Sequence, residues 1–103
     1  MTVSSKKIVV KELEWDELNI SHIARHNVIP DEVYEVCNSQ PVERKGYKDR
    51  IFLIGSTQKG RIMTVVLNPT EKQGIYRPIT AYGASKRSIQ TYLEEKRRGG
   101  EAA

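Results

Sequence analysis

The chain has 103 residues, with 17 Lys and Arg against 13 Asp and Glu, a net charge of +4 and 38% hydrophobic residues. A chain of this length buries one core, which excludes a multidomain enzyme. The longest apolar runs are far shorter than the ~20 residues of a membrane-spanning helix. The first apolar run, Ile8–Val10, is also too short for a secretion signal, and the single Cys37 forms no internal disulfide. We therefore expect a cytoplasmic protein.

The charge is divided unevenly along the chain. Residues 1–40 carry four basic and seven acidic residues, a net charge of −3, whereas residues 41–103 carry thirteen basic and six acidic residues, a net charge of +7. A basic half joined to an acidic half favours one surface that binds a polyanion. The alternative is a basic face that is simply solvated.

In chain order, the first half predicts one strand and two helices. Asp16 is a good N-cap because its carboxylate can accept hydrogen bonds from the first helical turn, and Asn27 suits the left-handed stop of that helix. Pro30 fits the first position of a second helix. The first strand is expected within Lys7–Trp15, either at Ile8–Val10 or as a strand that leads into a turn at Trp15-Asp16. The predicted helices run from Asp16 to about Arg25 and from Pro30 to about Asn38.

The second half predicts three strands and a final helix. The strands are expected at residues 50–54, 61–67 and 76–82, and the helix at residues 84–96. Pro78 cannot donate a ladder hydrogen bond, so the last strand should be an edge or should bulge there. Short connections predict an antiparallel sheet. We expect one α+β domain over residues 1–103, ordered from about 7 to 96 with flexible ends at 1–7 and 97–103. Its three to four antiparallel strands are packed by two N-terminal helices and one C-terminal helix on one face.

Few residues in this chain predict a catalytic or metal site. Cys37 lies on the apolar stripe of the second helix, where a buried structural role is expected. His22 and His26 are four residues apart on the first helix, which is one ingredient of a zinc site, but no third ligand is marked by spacing. Their alternatives are surface or capping roles, a phosphate contact, or proton transfer. We assign no metal.

Basic and aromatic residues together indicate RNA. Lys and Arg neutralise phosphates, and aromatic rings stack on unpaired bases, so the mixture suits single-stranded RNA. The RNA 2′-hydroxyl can attack the adjacent phosphate if a base removes its proton and cations stabilise the charge on phosphorus. The residues that carry this pattern are Arg44, Lys45, Lys48, Arg50, Arg61, Arg77, Tyr82, Lys86 and Arg87.

Several ordered motifs stand between about residues 13 and 93. They are Glu14-Trp15-Asp16 with Asn19, His22-Ile23, Arg25-His26, Val28–Val33, Arg50-Ile51 with Gly55, Gly60-Arg61, and Arg77–Ala81 followed by a helix with Tyr92. Together these motifs resemble the BrnT toxin family. The resemblance implies a RelE-like ribonuclease fold and a bacterial toxin that cleaves RNA without a metal or other cofactor. It also implies a small antitoxin that inhibits the toxin and usually binds operator DNA.

Two positions depart from the family pattern. Where the family typically continues Ile-Ser/Thr-Ala-Arg, this chain has Ala81-Tyr82, and Ser88-Ile89-Gln90 stands where the final helix usually carries a glutamate. Either Tyr82 takes part in the chemistry, or the site is degenerate and the fold persists to bind RNA or a partner protein without cleavage.

The leading hypothesis from the sequence is a metal-independent endoribonuclease toxin. Its expected partners are RNA and a small antitoxin, in a homodimer or a toxin–antitoxin hetero-oligomer, with no membrane. The expected roles are proton transfer for His22 or His26, phosphate binding for Arg50, Arg61 and Arg77, stacking or proton transfer for Tyr82, and RNA contacts for Lys45, Lys48, Lys86 and Arg87.

Overall fold

The chain forms an α+β fold in which a five-stranded mixed sheet carries helices on both faces. The computed structural model describes residues 8–102, with side chains as far as Arg98, so the flexibility expected at residues 1–7 and at Ala103 falls outside it. The elements are β1 (Glu12–Leu13), α1 (Glu17–Ala24), α2 (Pro30–Cys37), β2 (Val42–Lys45), β3 (Ile51–Ser56), β4 (Ile62–Pro69), β5 (Ile75–Gly83) and α3 (Lys86–Ala102), with a short 3-10 turn at Tyr47–Asp49.

The sheet order is β1-β5-β4-β3-β2, and only the β1–β5 pairing is parallel. The expected antiparallel pairing is correct for β2 to β5, but the sheet is larger than predicted and is mixed. The first strand is absent from Ile8–Val10 but lies within the expected stretch Lys7–Trp15, just before Trp15-Asp16. The backbone N–H groups of Lys11 and Glu12 instead donate to the Gly74 carbonyl, which starts the strand later, at β1. β2 was not predicted because three of its four residues are charged.

Strand alternation divides the interior into two clusters. Leu53 of β3 packs with the larger cluster that includes residues of α1 and α2, and the next residue, Ile54, packs under Tyr92 of α3. Because successive side chains of a strand point to opposite faces, α3 lies on the other side of the sheet from α1 and α2. The expectation that all helices cover one face is therefore wrong for α3.

The helix ends follow the predicted capping chemistry. Asp16 forms a capping box with Asn19 at the start of α1, Asn27 has a left-handed φ of 60°, and Pro30 begins α2. α3 extends to Ala102, beyond its predicted end near residue 96. No helix within residues 8–102 is long and apolar enough to span a membrane.

β5 bulges at Pro78, as predicted. Leu67 of β4 pairs with Pro78 and the preceding Val66 pairs with Thr80, so Ile79 is the extra residue. The ladder is interrupted at the bulge, so the missing N–H of Pro78 leaves no ladder hydrogen bond unmade. β1 pairs with only the first two residues of β5, Ile75 and Tyr76. α1 contacts the part of β5 that follows them.

We expect Gly55→Ala to destabilise the fold. A Cβ at this position of β3 would lie 2.5 Å from the Ser39 hydroxyl oxygen and 3.0 Å from the Pro41 Cβ, inside the packed contact with the chain that follows α2. Overpacking of this kind costs about 1–3 kcal/mol. Urea unfolding measures the loss. Gly83→Ala is the control, because its nearest neighbour would be at 3.8 Å, and an equal loss in both variants would contradict the packing argument.

Candidate functional site

α1 and the turn that follows it place two imidazoles beside β5: His22 lies on α1 and His26 in the turn. The ring centroids of His22 and His26 are 5.9 Å apart, and those of His26 and Tyr82 are 6.0 Å apart. Both histidines are exposed, and Tyr82 is half-buried. We call these three residues the imidazole–tyrosine row. The structure thus brings together three of the residues that the sequence predicted to be catalytic.

Arg61 holds the chain that follows α1. Its guanidinium donates to the carbonyl of Asn27 at 3.0 Å and to the carbonyl of His26 at 3.4 Å, and it lies 3.6 Å from the Glu32 carboxylate. A guanidinium has five N–H donors in a fixed plane, so it can bind several oxygens at once. Arg61 therefore helps to hold the segment that contains His26, and its expected RNA contact stays a prediction.

A shallow groove of about 250 Å³ lies between α1 and β5. Leu18 and Ile79 form its apolar walls, and the cationic side chains of Arg25 and Arg77 also line it. His22 is a further lining residue. Sequence reasoning missed Arg25, although its place three residues after His22 puts both on one helix face. The remaining lining residues are Asn19, Ser21 and Pro78.

Arg77 is paired with Asp16, the N-cap of α1. The Asn19 backbone N–H, 2.9 Å from the Asp16 carboxylate, and the Arg77 guanidinium together hold the pKa of Asp16 below its usual range. The Asn19 side-chain amide donates to the carbonyls of Glu14 and Pro78 at 3.1 and 3.2 Å. These contacts join the start of α1 to the bulge of β5, so the position of Arg77 in the groove depends on the helix cap.

Arg50 lies at the opposite end of the sheet from Tyr82. Thr64 of β4 pairs with both Ile54 and Tyr82, so Tyr82 is level with Ile54 and four residues, about 13 Å along the strand, from Arg50. The structure therefore does not bring Arg50 into the imidazole–tyrosine row. The predicted RNA contacts that lie with Arg50 are Lys45, at the end of β2, and Lys48, in the 3-10 turn.

Lys86 and Arg87 occupy the first turn of α3, shortly after Tyr82, and both are exposed. Their positive charges oppose the helix dipole at this end, so they do not stabilise α3. The Ser85 hydroxyl caps the helix by accepting from the Ser88 backbone N–H at 3.1 Å. Ser88 is thus part of the helix cap.

Cys37 and the possible metal ligands do not add to the candidate site. Burial raises the pKa of the Cys37 thiol to about 12, so the thiol stays protonated at neutral pH, in agreement with the structural role expected from the sequence. Among the residues that the structure describes, no three His, Cys, Asp or Glu side chains are grouped to hold a metal ion.

The pKa of Asp16 predicts a loss of stability in acid. Its folded-state pKa lies below the ordinary aspartate value of 3.8, so its ionic contribution is present above that value and disappears as the pH falls through the folded-state pKa. We expect Asp16→Asn to lower the urea midpoint at pH 6, and we expect the gap from wild type to narrow as the pH falls below 3.8. Asparagine also caps helices, which isolates the charge.

Glu17→Gln is the matched control for this test. It removes an acidic charge from the same helical turn. Among the described residues, the Glu17 side chain forms no salt bridge. A gap between wild type and Asp16→Asn that is constant from pH 6 to pH 3 would contradict the assigned Asp16–Arg77 interaction.

Comparisons of the chain with protein-family models, curated proteins and solved structures find no match.

Proposed function

We propose that this protein is a BrnT-like toxin with a RelE-like fold, a metal-independent endoribonuclease that cleaves RNA by attack of its own 2′-hydroxyl. The observation that supports the proposal is the imidazole–tyrosine row beside a groove with two arginines. Imidazoles exchange protons near neutral pH, and guanidinium groups stabilise charge on a phosphate.

The reaction needs one proton acceptor and one proton donor. One imidazole of the pair His22 and His26 removes the 2′-hydroxyl proton as the oxygen attacks phosphorus, and the other protonates the leaving 5′-oxygen. The bond from phosphorus to the 2′-oxygen forms and the bond to the 5′-oxygen breaks, which leaves a 2′,3′-cyclic phosphate and a 5′-hydroxyl. Two rings with centroids 5.9 Å apart can act on the two sides of one phosphate.

Arg25 and Arg77 are the cations best placed to bind that phosphate, because both line the groove into which His22 opens. Arg77 must exchange its Asp16 partner for the phosphate. Tyr82, at the other end of the row, stacks on a base or donates its phenolic proton. Lys86 and Arg87 add positive charge along the path of the strand.

A catalytically degenerate module that binds RNA or a partner protein is the second candidate. Two observations favour it. Two of the cations near the histidines already have intramolecular partners, because Arg61 binds backbone carbonyls and Glu32 while Arg77 binds Asp16. Tyr82 and Ser88 also replace the arginine and glutamate of the family pattern.

The proposed setting is the bacterial cytoplasm, with a small antitoxin as the inhibitory partner. Assembly as a homodimer or as a toxin–antitoxin hetero-oligomer belongs to the same proposal. A short adjacent reading frame with a DNA-binding pattern would support this setting.

We expect the purified protein to cleave mRNA in the presence of a chelator. His22→Ala and His26→Ala should each lower kcat by at least about 100-fold, because general acid–base catalysis contributes about that much. Arg25→Ala combined with Tyr82→Phe should remove the activity, because Arg25 lines the groove and Tyr82 lies at the end of the imidazole–tyrosine row. Single-turnover cleavage of a labelled RNA measures these rates, and Lys72→Ala, which removes an exposed positive charge from the β4–β5 connection, is the control.

RNA binding without cleavage would favour the second candidate. Normal growth of bacteria that strongly express the protein, together with no cleavage of RNA, would contradict the leading proposal. Cleavage that persists in the double histidine variant would contradict the assigned proton carriers.

A further inference from the structure

Tyr47, in the turn between β2 and β3, has 80% of its surface exposed. Its ring therefore adds little buried area to either core cluster, so its contribution to folding stability is small. The Lys48 ammonium lies 5.7 Å from the centroid of the ring. An exposed ring beside a cation is the arrangement on which a nucleobase can stack while its phosphate is neutralised.

The turn presents this ring from a defined backbone. Lys48 and Asp49 have φ angles of 57° and 64°, two consecutive non-glycine residues in the left-handed region, which costs free energy. Two backbone hydrogen bonds close the turn, from Gly46 N–H to the Arg50 carbonyl at 2.7 Å and from Arg50 N–H to the Tyr47 carbonyl at 3.1 Å. An ordered turn therefore keeps the Tyr47 ring exposed to solvent.

Gly46 also packs against the sheet. A Cβ at this position would lie 2.3 Å from a ring atom of Phe52 on β3, so only glycine allows the turn to approach this closely. The contact fixes the height of the Tyr47 turn above the sheet face.

Three polar atoms on the neighbouring sheet face lack partners. The Arg50 Nε, the Asn68 Oδ1 and the Thr80 Oγ1 are buried without a hydrogen-bond partner among the described residues. All three side chains point away from α1 and α2, because the next or preceding residue of each strand belongs to the larger core cluster. The strand register places Arg50 beside Asn68, and Thr80 one row further along the same face.

The chemistry of these atoms selects the ligand. An unpaired buried polar atom costs free energy. All three side chains are half-buried, so a rotation that brings these atoms to a bound partner recovers that free energy. The set contains a donor, an acceptor and a hydroxyl. A phosphate offers only acceptors, whereas a nucleobase edge offers both donors and acceptors, and asparagine is a frequent partner of such edges.

The charge around the turn favours nucleic acid over protein. Residues 44–50 contain four basic residues and one acidic residue. Arg44 pairs with Glu95 of α3. Among residues 8–98, no salt bridge engages Lys45, Lys48 or Arg50.

We propose that the β2–β3 turn and the adjoining sheet face form a second RNA subsite. A nucleobase stacks on Tyr47, and Arg50, Asn68 and Thr80 bind a neighbouring nucleotide through its base edge and backbone. This subsite rests on the proposed function for its ligand, single-stranded RNA. Its Tyr47 end lies away from the imidazole–tyrosine row, whereas Thr80 is two residues from Tyr82 on β5 and Asn68 pairs with Arg77 of the groove. It binds RNA and takes no part in the reaction.

The test measures affinity separately from cleavage. A short, fluorescein-labelled 2′-O-methyl RNA lacks the attacking hydroxyl, so its fluorescence anisotropy reports binding alone. We expect Tyr47→Ala to raise Kd by about 5- to 100-fold, the effect of one lost base–aromatic stack. Tyr47→Phe should bind as wild type. With unmodified RNA, Tyr47→Ala should raise KM and leave kcat unchanged.

Asn68→Ala gives a second readout. It should weaken RNA binding while the urea midpoint stays the same or rises, because the variant removes a buried acceptor that has no partner. Leu93→Ala, which shortens an exposed side chain on α3, is the control and should not change Kd.

If Tyr47→Ala binds the 2′-O-methyl RNA as tightly as the wild-type protein does, the proposed subsite is wrong, even if the protein cleaves RNA. Loss of a partner-protein complex in that variant, with RNA affinity unchanged, would also overturn it and would assign the turn to a protein. If the wild-type protein binds RNA through Tyr47 but cleaves none, the proposed catalytic function fails and the subsite stands.

Discussion

The buried side chain of Asn19 joins the first helix to the sheet. Its backbone N–H and side-chain oxygen form the capping box with Asp16, and its side-chain amide donates to the carbonyls of Glu14 and Pro78. All of its polar groups are satisfied while the residue is only 5% exposed. This one amide sets the position of α1 against the β5 bulge. The placement of His22 one turn later, and of Arg77 through Asp16, depends on it.

The same junction explains how the uneven charge of the chain is used. Two salt bridges join the acidic first half to the basic second half, from Asp16 to Arg77 and from Glu32 to Arg61. The acidic half is therefore not a separate surface, because part of its charge neutralises arginines of the sheet. It also supplies both histidines to the imidazole–tyrosine row. The basic residues Lys45, Lys48 and Arg50, which lie at the other end of the sheet, form no salt bridge among residues 8–98.

Local chemistry predicted the elements that depend on nearby residues. Asp16, Asn27 and Pro30 mark helix ends because caps, left-handed stops and proline positions act within one turn of the chain. The Pro78 bulge followed from the missing N–H of proline. The parallel pairing of the two-residue β1 was not predictable, because it depends on where Gly74 lies in space. β4 extends through Asn68, where a loop was expected, because its partner in β5 continues the ladder.

For the candidate site, the sequence by itself determined the residue types: two histidines four apart, a set of arginines and lysines, and a tyrosine near the last strand. Only the tertiary structure decided which of them meet. It placed His26 beside Tyr82, 56 positions later in the chain, assigned Arg61 and Arg77 to internal partners, and separated Arg50 from the histidines by the length of β3. The physical reason is that spacing along one helix or strand fixes a face, whereas contacts between elements depend on packing and register that no local pattern contains.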